Sequence, residues 1–191
     1  EAFPMGVQAG DPTADGAMLW TRYVGDGVPS LELAVWDGAG WVAVDEGSVD
    51  VEDGGYVHVD VGGLGPDTHC AFQFRDDRGA RSAVGRFTTA LAEGRTGLVR
   101  LGVGSCFHQE HEAFPVLERV AERGVDAFLF LGDTAYFDSR VDRDGFRELW
   151  QRNLTAPGFR ELLAANAVAY IWDDHEVDRK STRLNSSHLV I

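Results

Sequence analysis

Long hydrophobic runs are missing from this 191-residue sequence, and no apolar stretch approaches the roughly 20 residues that a membrane-spanning helix needs. No secretory leader is visible either: the chain begins at Glu1, so we expect a fragment or a processed form. Cysteine is scarce, with Cys70 and Cys106 alone. The two lie in segments that we assign to different domains, so we expect no disulfide, and they do not reveal the compartment.

Positive charge is also scarce: the net charge is −14, and Lys180 is the only lysine. Residues 1–93 carry 16 acidic and 5 basic side chains, a net of −11, whereas residues 94–191 carry 15 and 12, a net of −3. Because nucleic-acid binding needs a basic face, this balance argues against a nucleic-acid surface. The simplest interpretation of the acidity is a solvated surface.

Residues 1–93 show the pattern of an antiparallel β-sandwich. Short runs alternate between apolar and polar residues, with turn residues between them, as in all-β domains. The runs are 17–22, 31–36, 41–44, 56–61, 70–75 and 83–87. Cys70 alternates in phase with the apolar residues of its run, which favours a core thiol. His58 and His69 stand alone on strand patterns, and we expect both to be structural.

Residues 94–179 indicate an α/β arrangement, after a linker of small and polar residues at 91–97. Apolar runs at 98–104, 126–131 and 168–172 predict buried parallel strands. Between them, apolar residues recur every three or four positions and predict helices, the first of them from about Glu110 to Arg123 with Gly124 as its stop. This order predicts parallel strand pairing with right-handed crossovers.

Each of these three strands ends in residues that can carry chemistry. Cys106 follows the first strand, Gly132-Asp133 the second, and Asp173-Asp174-His175-Glu176 the third. Ligands of open α/β sheets bind at this carboxyl edge. Four successive titratable residues after an apolar strand are costly unless solvated, paired or metal-bound. The three strand ends therefore predict one metal site.

Taken singly, each of these residues could play a different role. Asp133 could instead cap the next helix, and Tyr136 could serve packing rather than metal binding as a phenolate. Cys106 could be a buried small hydrophobe, a thiolate ligand or a nucleophile. His108 and His111 could face the same cleft or lie on a helix surface.

The motifs in combination resemble the PhoD-type alkaline phosphatases of the calcineurin-like metallophosphoesterase superfamily. The resemblance covers about residues 3–179, including the corner at residues 62–68, which is similar to that of fibronectin type III domains. The motifs are Gly104-Ser105-Cys106, Gly132-Asp133-x-x-Tyr136, Trp172 before Asp173-Asp174-His175-Glu176, and an N-terminal segment at residues 3–12 followed by Asp15-Gly16 and Leu19-Trp20-Thr21-Arg22. The implied fold is a fibronectin-like sandwich (1–93) followed by the first half of an α/β metallophosphoesterase domain (94–179).

The resemblance also implies roles. Cys106 and Tyr136 would bind an iron-like ion, Fe³⁺, and Asp133 would bridge it to neighbouring Ca²⁺. Asp174 occupies the position of a metal-binding Asn in the superfamily, and His175 that of the catalytic His. The implied reaction is hydrolysis of phosphate mono- or diesters by metal-activated water, in an exported, extracytoplasmic enzyme.

The family has further ligands that this sequence does not supply, including an Asn and a late Asp-x-His. We therefore expect a truncated chain with an incomplete site and little or no activity. Residues 180–191, where three of the eight serines fall, resemble a foreign, adaptor-like tail rather than part of the domain; an ordinary flexible terminus is the alternative, and we give His188 no role.

Two other function classes stay open. The chain could be a β-sandwich binding module with an inert α/β stub. It could also be a hydrolase with Cys106 as nucleophile and His175 as base, although we find no Ser-His-Asp arrangement and no phosphate-cradling glycine loop. The substrate, the metals and the oligomeric state cannot be determined from the sequence.

Overall fold

The computed structural model describes residues 1–108, 113–136 and 142–176. These residues form ten strands and three helices. In chain order they are β1 (Val7–Gly10), β2 (Ala17–Arg22), β3 (Pro29–Trp36), β4 (Trp41–Ser48), β5 (Tyr56–Val61), β6 (His69–Asp76), β7 (Gly85–Thr88), β8 (Leu101–Gly104), α1 (Pro115–Arg123), β9 (Ala127–Leu131), α2 (Arg143–Leu154), α3 (Pro157–Ala165) and β10 (Ala167–Ile171). None of the three described helices has the length and apolar character of a membrane-spanning segment.

The predicted strands of the first half are present, and β2 and β5 have the predicted bounds. They form two packed sheets. One has the order β4-β3-β6-β7, and the other contains β5, β2 and β1. Alternate residues of both sheets point into a shared core, which includes Leu19, Val57, Leu31, Phe72 and Phe74. This two-sheet packing explains the period-2 pattern, while the specifically fibronectin-like character of the sandwich stays a prediction.

Strand β1, which the sequence analysis did not anticipate, joins the two halves of the chain. It pairs antiparallel with β2 and parallel with β10, where Ala9 lies opposite Ala167 and Gly10 opposite Val168. The resulting six-stranded sheet has the order β5-β2-β1-β10-β9-β8. The proposed division at residue 93 therefore separates strands that share one sheet, and the division stays a prediction.

The second half has the predicted parallel pairing. β9 pairs in parallel with both β8 and β10, with Phe130 opposite Gly104 on one side and Tyr170 on the other. The helices cover one face of these strands and form a second core with them, in which Phe159 of α3 stacks on Phe130 at 5.6 Å between ring centroids. The side chain of Ala167 belongs to the first core and that of Val168 to the second, because successive residues of a strand face opposite sides.

Helix α1 begins later than predicted. It begins at Pro115 rather than Glu110, and the preceding Phe114 has a left-handed backbone with φ 47°. Proline favours the first helical position and disfavours helical geometry in the residue before it, so the helix cannot extend back through Phe114. Its predicted end is confirmed, since Gly124 caps it with φ 66°. Glu110, His111 and the tail at residues 180–191, with His188, lie outside the described residues.

Candidate metal centre

The three predicted strand ends meet at one edge of the six-stranded sheet. Because β8, β9 and β10 run parallel, the residues that follow them emerge on the same side. Backbone hydrogen bonds tie the first two ends together: the Phe107 N–H donates to the Asp133 carbonyl at 2.8 Å, and the Cys106 N–H to the Gly132 carbonyl at 3.4 Å. This places the thiol beside the carboxylate.

Both chemical groups are carried on unusual backbone. Cys106 has φ 61° and Asp133 has φ 53°, left-handed values that are uncommon outside glycine. Gly132 precedes Asp133 with φ 86°, and a Cβ added to it would lie 2.4 Å from the Cβ of Asp173. Position 132 therefore requires glycine for two reasons: the positive φ of its backbone and the close approach of the residues that follow β10.

Asp133 is the centre of the cluster. The residue is 8% exposed. Oδ2 accepts hydrogen bonds from the Cys106 thiol at 3.6 Å and from the Tyr136 hydroxyl at 3.5 Å, and Oδ1 accepts one from the His175 backbone N–H at 3.3 Å. One carboxylate thus contacts groups from all three strand ends, as a bridging ligand would have to do.

Asp133, Asp174 and His175 can offer ligand atoms to a single ion. One carboxylate oxygen of each aspartate and one ring nitrogen of His175 all lie within 4.8 Å of one another. Tyr136 packs against the imidazole of His175, with 4.1 Å between ring centroids, and His108 lies on Tyr136 at 4.7 Å. The arrangement offers carboxylate, imidazole, phenol and thiol donors within one small region.

The environment of Tyr136 keeps its phenol protonated when no cation is near. Burial raises the pKa of Tyr136, and the hydrogen bond that its hydroxyl donates to Cys106 and the negative charge of Asp133 raise it further. A cation beside the hydroxyl would have the opposite effect, since an adjacent positive charge favours the ionised form. The donor set therefore fits a bound cation: its anionic groups converge, and a positive charge would relieve their mutual repulsion.

Comparison with known proteins gives matches over both halves of the chain. A family model described as the N-terminal domain of PhoD-like phosphatases matches residues 1–91, and one described as PhoD-like phosphatase matches residues 101–180. The chain belongs to the PhoD-like phosphatase family. Its membership agrees with the resemblance carried by the strand-end motifs.

Relatives of this PhoD-like chain extend the comparison. It is 27% identical to alkaline phosphatase D of Bacillus subtilis over 92% of its own length and 35% of that protein. A solved structure of PhoD superposes with a TM-score of 0.80 at 24% identity, covering 92% of the chain and 40% of that structure. A purple acid phosphatase from yellow lupin seeds gives 0.57 at 14% identity, over 89% of the chain and 35% of that structure. The chain thus spans 35–40% of the length of the proteins it matches.

Two further side chains of the PhoD-like chain, those of Glu176 and Asn153, have structural roles in this region that the sequence analysis did not predict. Glu176 is 3% exposed, and its carboxylate accepts hydrogen bonds from backbone N–H groups that follow β9 and β10. The Asn153 amide of α2 donates to the carbonyls of Thr134 and Phe107, so it links the helix to two of the loops. Glu176 ends the Asp-Asp-His-Glu run and was visible as part of it, whereas a single polar residue in a helix gives no such signal.

The residues expected to be structural are engaged elsewhere in the PhoD-like chain. Nδ1 of His58 lies 2.9 Å from Glu52, and Nδ1 of His69 lies 2.8 Å from the Thr88 hydroxyl. Cys70 is 1% exposed, and burial raises the pKa of its thiol to about 11. Both cysteines are free, as expected.

Proposed function

We propose that this chain contributes one side of the metal centre of a phosphoesterase. The observation that carries the proposal is the position of Asp133, whose carboxylate contacts the Cys106 thiol, the Tyr136 hydroxyl and the backbone of His175 at once. A carboxylate shared among ligands from three strand ends suits a pair of neighbouring cations. Family membership supports phosphate-ester chemistry as the use of such a centre.

The donors favour two kinds of cation. Cys106 and Tyr136 would hold Fe³⁺ as thiolate and phenolate, and Asp174 would hold Ca²⁺, which takes oxygen ligands. The Asp133 carboxylate would be shared between the two ions. Bound together, such ions would neutralise phosphoryl charge and lower the pKa of a bound water. The identity of both metals is part of the proposal and rests on the family resemblance and on the chemistry of the donors.

His175 is the proposed proton donor. It lies directly after Asp174, and its ring packs against Tyr136, which limits the directions in which the imidazole can point. Its backbone N–H is held by Asp133, so the residue is fixed relative to the centre. An imidazole placed in this way would protonate the leaving oxygen of a phosphate ester, the usual role of a positioned general acid.

The substrate class is a phosphate mono- or diester, and the location of the parent enzyme is extracytoplasmic. Both parts of the proposal come from the family. The acidic first half does not favour polyanionic nucleic acid as a partner.

We further propose that turnover by these 191 residues alone is low. The four proposed ligand residues are too few to complete two cation shells, because Ca²⁺ alone takes about six to eight oxygen ligands. They are Cys106, Asp133, Tyr136 and Asp174. The relatives are more than twice as long, which leaves room in them for further donors.

The alternative with Cys106 as nucleophile is less well supported. Its thiol is hydrogen-bonded to a carboxylate, Asp133, whereas a cysteine hydrolase needs a neighbouring base such as an imidazole. A thiol alkylator that abolishes activity which a chelator leaves intact would favour that alternative. The binding-module hypothesis stays a prediction.

The test is hydrolysis of a chromogenic phosphate monoester and diester, with Fe³⁺ and Ca²⁺ supplied. We expect slow turnover that Asp133→Ala and His175→Gln remove and that the exposed change Asp53→Asn does not. If the chain turns over substrate at the rate of a complete phosphatase and Asp133→Ala abolishes this, the result would support the metal centre. It would contradict the proposal that these 191 residues hold too few ligands. Slow turnover unaffected by Asp133→Ala would contradict the proposed function.

A further inference from the structure

Glu176 connects the two strand ends that carry the proposed oxygen ligands. Its Oε2 accepts the N–H groups of Asp133 at 2.8 Å and Asp173 at 2.9 Å. Its Oε1 accepts the N–H of Ala135 at 3.0 Å and also that of Thr134. One carboxylate therefore binds three consecutive amides after β9 and one amide after β10.

These contacts are made in the interior. Glu176 is 3% exposed and Thr134 is fully buried. A buried carboxylate is tolerated only when hydrogen bonds replace its hydration, and four backbone donors do so here. The same bonds satisfy amides of a segment that passes through the left-handed conformation of Asp133 and cannot use sheet hydrogen bonding.

We propose that Glu176 is a positioning residue of the metal centre. It sets the distance between Asp133 on one strand end and the Asp174-His175 pair on the other, so that their ligand atoms stay within 4.8 Å. Glu176 acts through the backbone, because its two oxygens are taken up by amide donors and it supplies no ligand of its own. This inference rests on the proposed metal centre, but it concerns an arrangement that exists in the metal-free chain.

Two variants separate position from charge. Glu176→Gln removes the negative charge and turns an NH₂ group towards backbone donors. Glu176→Asp keeps the charge but is shorter by about 1.5 Å, so its carboxylate cannot reach both strand ends. Glu161→Gln, the same Glu-to-Gln substitution at an exposed position of α3, serves as the matched control.

The first measurement is a titration of the metal-free chain with Co²⁺, in which the thiolate-to-cobalt absorption band reports binding. The thermal midpoint of each metal-free variant is measured as well, to show which variants are folded. Positioning predicts that both Glu176 variants, measured where they are folded, bind Co²⁺ about 10- to 100-fold more weakly, the usual effect of losing an outer-sphere partner. Glu161→Gln should bind as the wild type does. Normal Co²⁺ affinity in Glu176→Asp together with weak binding in Glu176→Gln would show that only the charge matters, and would overturn the proposal. Normal Co²⁺ affinity in both variants would also overturn it.

Amide hydrogen exchange provides a readout that needs no metal. We expect Asp133, Thr134, Ala135 and Asp173 to lose protection in both Glu176 variants, while β2 amides keep theirs. Unchanged protection at those four amides would overturn the proposal. Failure of the wild-type chain to bind Co²⁺ would instead count against the proposed function, and the exchange result would then decide the role of Glu176.

Discussion

Ala9 of β1 lies opposite Ala167 of β10 in a parallel pair, although the two residues belong to opposite ends of the chain. Both are fully buried, and both side chains belong to the first core. One sheet of the sandwich, formed by β5, β2 and β1, therefore continues into the α/β strands β10, β9 and β8. A structural change at β1 should be transmitted to the strands that carry the candidate metal centre.

Ala9→Asp tests that continuity. An unpaired charge in this core should cost about 3–5 kcal/mol of the free energy of unfolding. Hydrogen exchange should show β9 losing protection together with β2, whereas the exposed change Ala83→Asp should leave both unchanged. If β2 alone loses protection, the two halves fold independently and the shared sheet is not a cooperative unit.

Gly132→Ala is expected to be more harmful than the same change at another left-handed glycine. Both Gly132 and Gly124 have positive φ, so alanine costs about 1–2 kcal/mol at either site. At Gly124 nothing lies within 4 Å of the added Cβ, while at Gly132 that atom overlaps Asp173. Chemical denaturation should therefore show a further loss of about 1–3 kcal/mol at Gly132. Equal losses at the two positions would contradict the close approach of the β9 and β10 ends.

Asp76 should make the stability depend on acid pH. Burial raises its pKa, but hydrogen bonds from the Ala80 N–H, the Tyr23 hydroxyl and the Arg78 N–H outweigh this, and the pKa of Asp76 in the folded chain lies below its ordinary value. A depressed folded pKa means that the carboxylate stabilises the fold above the unfolded value of about 3.9, and that this contribution is lost as the pH falls through the folded value.

Asp76→Asn should therefore lower the thermal midpoint at pH 7, and its deficit relative to the wild type should shrink below about pH 4. Asp53→Asn, an exposed change of the same chemistry, should follow the wild type at every pH. A deficit that stays constant from pH 7 to pH 3 would mean that the charge of Asp76 contributes nothing.

Asn153→Asp tests the link between α2 and the metal-centre loops. The Asn153 NH₂ group donates to the carbonyls of Phe107 and Thr134, and a carboxylate oxygen in its place would face those oxygens inside the core. We expect a loss of about 1–3 kcal/mol from the unsatisfied buried groups. Gln151→Glu on the same helix is the control, and a similar effect of both changes on denaturation would contradict the specific role of Asn153.

The strands, and the sheet edge that carries the candidate site, could be predicted because each depends on local pattern. The apolar run at β9 followed by Gly132-Asp133 indicates a buried strand that ends in a carboxylate, and β8 and β10 give the same kind of signal. Parallel strands then bring Cys106, Asp133 and His175 to one edge.

The pairing of β1 with β10 could not be predicted in this way, since it joins segments far apart in sequence and depends on which sheet edge is free. The left-handed conformations of Cys106 and Asp133 also gave no signal, because nothing in either residue type requires positive φ. Glu176 could be located but not interpreted: its four amide partners become visible only when the two strand ends are side by side.

The central claim is that three strand ends form one metal centre around Asp133, and metal content tests it most directly. The purified chain is loaded with Fe³⁺ and Ca²⁺, desalted, and its metals are counted by mass spectrometry, with Cys106→Ser and Asp133→Asn alongside. The account predicts bound iron and calcium in the wild-type chain, loss of iron in Cys106→Ser and loss of both in Asp133→Asn. Equal metal content in all three proteins would contradict it.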